Sequence, residues 1–135
     1  KKLCVKDIID KRKLIKNKIN KNLFANIKQF AMKRALLNIL LNAIAYSKKN
    51  IEISSKQYNG YFIIFIEDDG KGIPKDKREE VFKAFYRIDE ARLSESANTG
   101  LGLTIAKDII QSHGGRIILS SSLLGGLKVE LNLPN

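Results

Sequence analysis

The sequence predicts a two-layer α/β sandwich, in which a mixed, mostly antiparallel sheet is covered on one face by helices. Three observations point there. A long apolar helical stripe, Ala31 to Ser47, is followed at once by two β-rich runs separated by Asn59-Gly60. A second helical stripe, "TGLGLTIAKDIIQSHGG", leads into two more β-rich runs, "RIILSSS" and "GLKVELNLP". The length of 135 residues suits one domain with its own core, taken as residues 1–135.

The elements follow in order. Val5, Ile8 and Ile9 mark a short helical stripe up to about Lys13. "LIKNKINKNLFANI" is expected to hold one or two short strands, with Ile15, Ile19, Leu23 and Ile27 as their buried side chains. "NIEISSKQ" and "GYFIIFIEDD" alternate or run apolar with β-branched and aromatic residues, and Asn-Gly between them is a strong hairpin signal. "DDGKGIP" is a glycine-punctuated turn, and "EARLSESAN", nearly devoid of large apolar residues, is expected to be a mobile loop. In the second helix Leu103, Ile105, Ala106, Ile109 and Ile110 form the stripe, and Gly114 is its C-cap.

Composition narrows the function. The single cysteine excludes an internal disulfide, and no apolar run reaches the length of a membrane span. The net charge of +11 is lopsided: residues 1–56 carry 15 Lys or Arg against 3 Asp or Glu, and residues 57–135 carry 10 against 11. Nineteen of the 25 basic residues are Lys and only 6 are Arg, the better fork for phosphates and base edges. Lysine codons of an AT-rich genome explain this balance better than a nucleic-acid surface does, so no nucleic-acid partner is expected.

The residues with chemistry stand at four places. Asn38 and Asn42 lie four apart inside the first helix and so share a face, where a buried amide is costly unless its hydrogen bonds are met. A neighbouring loop or a common ligand would each satisfy them, and Asn42 Oδ1 is a hard oxygen suited to Mg²⁺. Asp68 ends an apolar strand just before Gly70 and Gly72. Its carboxylate either caps its own turn or accepts a bond from an exocyclic amine such as that of adenine, with Ile73 against the ring. "TGLGL" opens a helix, so the backbone N–H groups of Thr99, Gly100, Leu101 and Gly102 are available to phosphate at the positive end of the helix dipole.

Together "NILLNAIAYS", "DDGKGIP", "VFKAFYRID" and "TGLGL" resemble, in order and spacing, the N, first glycine, F and second glycine boxes of the ATP-binding catalytic domain of sensor histidine kinases. That domain belongs to the ATPase superfamily shared with type II topoisomerases, heat-shock chaperones and mismatch-repair proteins. The resemblance covers Arg34 to Pro134. It implies ATP and Mg²⁺ as ligands, with Asn42 on the metal and Asn38 beside it as the catalytic pair. It further implies Asp68 on adenine, Tyr46 and Ile73 near the nucleotide, Gly70 and Gly72 beneath the base, and Thr99 to Gly102 on the phosphates. Phe82 and Phe85 would anchor a mobile ATP lid running from about Tyr86 to Thr99.

The resemblance also implies partners: a histidine-bearing dimerisation domain of the same parent protein, a response regulator, and a homodimeric parent. The parent is expected to be anchored in the inner membrane, with this part in the cytoplasm. No histidine-acceptor motif is present, and the lone His113 reads as a cap or surface residue. Ala45, Asn98 and Leu127 stand where relatives often have Lys or Arg, Gly, and Thr, with Lys48, Lys49 or Arg87 as substitutes for the missing cation. Three alternatives accompany histidine phosphorylation: an ATP-hydrolysing conformational switch, an anti-sigma-type serine kinase, and a degenerate ATP-binding module. Against the switch, such enzymes place a general-base Glu where this chain has Asn38, and an amide cannot take up that proton.

Overall fold

The computed structural model describes residues 14–18, 29–82 and 102–134. The expected helix before Lys13 and the side chains of Ile19, Leu23 and Ile27 lie outside these residues. Five strands make one sheet in the order β1-β2-β3-β5-β4, with β1 at Leu14–Lys18, β2 at Asn50–Tyr58, β3 at Tyr61–Asp68, β4 at Arg116–Ser121 and β5 at Leu127–Pro134. Among the described residues β1 and β2 pair in parallel and the other pairings are antiparallel. Mixed and mostly antiparallel is thus the observed sheet.

Among the described residues two α-helices cover it. Helix α1, Gln29–Tyr46, starts two residues earlier and ends one earlier than the sequence predicts, and α2 runs Gly102–Ser112. Met32, Ala35, Ile39, Leu40 and Ala43 from α1 and Leu103, Ala106 and Ile110 from α2 are buried in one core with Ile51, Ile53, Phe62, Ile64, Ile66, Val129, Leu131 and Leu133. These strand residues alternate along each strand, which puts this set on one sheet face, while Ile63, also buried, points to the other. Each fully buried Ile or Leu there contributes about 1.5–3 kcal/mol.

Local chemistry sets the corners. Asn59 and Gly60 both have positive φ, 49° and 78°, the backbone that a tight two-residue hairpin needs. After α2, Gly114 at φ 77° ends the helix in a Schellman motif: Gly115 N donates to Ile110 O at 3.0 Å and Gly114 N to Gln111 O at 2.9 Å. His113 closes the same end, its Nδ1 lying 2.8 Å from Ile109 O. The capping role expected of His113 is what the geometry gives.

Candidate functional site

Helix α1 carries one end of the site. Asn38 and Asn42 are both half-buried. Asn38 Nδ2 is buried and has no hydrogen-bond partner among the described residues. The start of α2 lies against it, because a Cβ built on Gly102 would sit 3.8 Å from both Cβ and the carbonyl O of Asn38. An unmet buried amide therefore stands beside the positive end of a helix dipole, at a glycine that lets the two backbones come close. Ala45, one turn beyond Asn42, is exposed, as are Lys48 and Lys49. Thr99, Gly100, Leu101, Phe85, Arg87, Asn98 and the segment 86–99 lie outside the described residues, so of the expected phosphate-side glycine box only Gly102 can be placed.

The other end is built around Asp68, which is 5% exposed. Asp68 Oδ1 accepts from Gly70 N at 2.8 Å and from Leu127 N at 3.2 Å, while its carbonyl accepts from Gly126 N at 3.1 Å. The turn-capping arrangement anticipated for this carboxylate is present, and a second strand joins it. Two glycines make room: a methyl on Gly126 would overlap Asp68 Oδ1, and a methyl on Gly70 would overlap the Tyr46 carbonyl. Gly72, at φ 72°, lies beside Gly126, with its built Cβ 3.5 Å away, and Ile73 is buried. Asp68, Gly70 and Gly72 thus converge around Gly126, Ile73 follows in the chain, and the Tyr46 carbonyl connects Gly70 to α1.

Several residues here have no counterpart in the sequence reading. Asp69 accepts from the backbone N–H groups of Lys48, Lys49 and Asn50 and from the Asn50 amide, at 2.8–3.2 Å. Burial pushes its pKa up, but the N–H groups of Lys49, Asn50 and Lys48 and the Asn50 amide outweigh that, and the carboxyl sits below its ordinary value. Asp69 thereby locks the α1–β2 corner to the end of β3. The Thr104 hydroxyl bonds the Phe82 carbonyl, and Lys107 Nζ lies 4.6 Å from the Phe82 ring centre, so the F-box residue is fixed on α2 and packs on the core. Gly126 had a usable signal: a Gly-Gly pair between two β-rich runs marks both a hairpin turn and a close backbone approach. Asp69 and Thr104 had none, since their partners lie about twenty residues away in the chain.

Known proteins resemble this chain in sequence and in fold. The pattern of histidine kinase-, DNA gyrase B- and HSP90-like ATPases matches residues 27–135. The sensor histidine kinase CpxA of Escherichia coli K12 is 43% identical over 104 residues, which are 77% of this chain and 23% of that protein. The sensor histidine kinase WalK of Bacillus subtilis is 37% identical over 124 residues, 89% of this chain and 20% of that protein. Most of each relative's length therefore lies outside the match. The solved histidine kinase domain of the E. coli osmosensor EnvZ superposes with a TM-score of 0.70 at 30% identity, covering 96% of this chain and 80% of that one. Because the family pattern spans α1, the glycine turn, α2 and strands β2 to β5, the chain belongs to the histidine kinase-, DNA gyrase B- and HSP90-like ATPase family.

Proposed function

We propose that this chain is the ATP-binding catalytic part of a sensor histidine kinase, which binds Mg-ATP and donates the γ-phosphoryl group to a histidine on a separate dimerisation domain. The observation that carries the reading is the buried Asn38 amide, without a hydrogen-bond partner among the described residues, on the part of α1 that lies against the start of α2. A polar atom left in that state costs the folded protein about 1–3 kcal/mol, which a ligand accepting its hydrogen bond would return. The identity to sensor histidine kinases supports the same assignment.

The residues divide the work. Asp68, held at Oδ1 by Gly70 and Leu127, recognises the exocyclic amine of adenine, while Ile73 packs the ring over the Gly70–Gly72 turn. Tyr46, whose carbonyl lies against Gly70, is the residue of α1 assigned to the base. Asn38 Nδ2 donates to a phosphate oxygen, and Gly102, together with Thr99, Gly100 and Leu101, presents backbone N–H groups to the phosphates. Asn42 Oδ1, a hard oxygen, would hold Mg²⁺. When bound, Mg²⁺ neutralises charge on the phosphates. Asn38 and Asn42 contribute positioning and hydrogen bonding rather than proton abstraction, because neither amide is a base at neutral pH. That chemistry suits transfer to an incoming imidazole better than activation of water.

A histidine-bearing domain of the same parent, a response regulator, a homodimeric parent and an inner-membrane anchor belong to this proposal. Among the described residues no helix is long and apolar enough to cross a membrane. The test is calorimetric titration with ADP and a non-hydrolysable ATP analogue, with and without Mg²⁺, on wild type and Asn42→Ala. Mg²⁺-dependent binding that is lost in the variant is expected. Folded wild type that binds neither nucleotide would refute the proposal.

A further inference from the structure

Arg78 has no place in the mechanism above, yet its guanidinium is committed twice. Its Nε donates to Ile73 O at 3.1 Å and its Nη2 to Ser121 Oγ at 3.0 Å. Among the described residues it has no carboxylate partner, so a half-buried charged fork is spent on a carbonyl and a hydroxyl. Bonds from a charged donor are about twice as strong as neutral ones, and the planar fork reaches two acceptors at once.

What it joins matters for the base. The segment 71–74 belongs to no helix or strand, and Pro74 lacks a donor of its own. Ser121, at the other end of the fork, pairs with Leu127 across the β4–β5 ladder, and Leu127 N is one of the two backbone donors to Asp68 Oδ1. Ile73 and Asp68, the apolar and polar walls of the base pocket, are therefore registered on the same pair of strands, Ile73 through Arg78 and Asp68 through Leu127.

We infer that Arg78 is a positioning residue for nucleobase recognition: by tying the Ile73 carbonyl to Ser121 it fixes the distance between the ring-packing wall and the Asp68 carboxylate. This rests on the reading of the site as an adenine nucleotide pocket. A residue acting at the base end weakens every adenine nucleotide by the same factor, whatever the phosphate count and whether or not Mg²⁺ is present. A residue at the phosphate end, such as Asn42, does not.

The experiment is calorimetric titration of the full chain with ADP and with the non-hydrolysable ATP analogue, each with and without Mg²⁺, for wild type, Arg78→Ala, Arg78→Lys, Ser121→Ala and the double variant Arg78→Ala with Ser121→Ala. Circular dichroism gives the folded fraction. Arg78→Ala should weaken binding roughly tenfold in all four titrations, as loss of a charge-assisted pair of bonds implies. Lysine can make one bond but not the fork, so Arg78→Lys should recover part of the loss. Ser121→Ala, which removes one leg and leaves the loop sequence intact, should weaken all four by about threefold and add nothing in the Arg78→Ala background. It carries the test alone if Arg78→Ala fails to fold. Unchanged affinity in Arg78→Ala, or in Ser121→Ala where that variant stands alone, would overturn the inference, as would a loss confined to the Mg²⁺ or ATP-analogue titrations. Wild type that binds no adenine nucleotide would instead overturn the function itself.

Discussion

The two ends of the site are built on opposite terms. Around Asp68 the polar groups are paired off: two backbone N–H groups on Oδ1, a third on the carbonyl, and glycines wherever a Cβ would intrude. Around Asn38 a buried amide waits without a partner among the described residues. On the proposed reading, a base pocket whose polar groups are already paired needs little ordering on binding, whereas a phosphate end that is unsatisfied when empty gains most from binding. On that reading folding stability and recognition coincide at the first end. At the second they are opposed.

That contrast can be broken by substitution. The largest effect is expected from Gly126→Ala, whose methyl meets Asp68 Oδ1, Gly70 N and Asp68 O at once. It should cost about 3 kcal/mol in urea unfolding and abolish nucleotide binding together with it. Asp68→Ala leaves the Gly70 and Leu127 N–H groups unanswered and should cost about 2 kcal/mol in the same measurement. Asn38→Leu, similar in size but apolar, should go the other way: about 1 kcal/mol more stable without nucleotide, yet at least roughly tenfold weaker in binding. An Asn38→Leu protein less stable than wild type would dissolve the distinction between the two ends.

The smallest effect tests the joint between them. Asp69 ties the corner after α1 to β3, and its carboxyl has a lower pKa folded than unfolded. The folded state thus holds the proton less tightly, so the stabilisation is present above the unfolded pKa and disappears as pH falls through the folded one. Stability measured from neutral pH downward should fall less steeply on the acid side in Asp69→Asn than in wild type. Parallel curves would remove Asp69 from that role.

Much of this arrangement was legible in the chain. The α1 stripe, the Asn59-Gly60 hairpin, the Gly114 cap and the strand runs each depend on residues within a few positions of one another, and each appears within a residue or two of where periodicity and turn chemistry put it. The pairing of Asn38 with Asn42 is equally local, since i and i+4 share a helix face. The meeting of Asn38 with Gly102, of Asp68 with Gly126, and of Arg78 with Ser121 is not local: 64, 58 and 43 positions separate the partners.

The sequence by itself determined the elements, the side of each that is apolar, and the residue types available for chemistry, because propensity, capping and periodicity act over single turns and strands. Only the tertiary structure decided which polar atoms find partners. The sheet order β3-β5-β4 carries the β4–β5 turn to Asp68 and leaves its carboxylate anchored, while the crossing of α2 on α1 sets a bare glycine beside Asn38, whose amide finds no partner among the described residues. Hydrogen-bond satisfaction is a property of what surrounds an atom in space, and chain-distant backbone supplies most of those surroundings here.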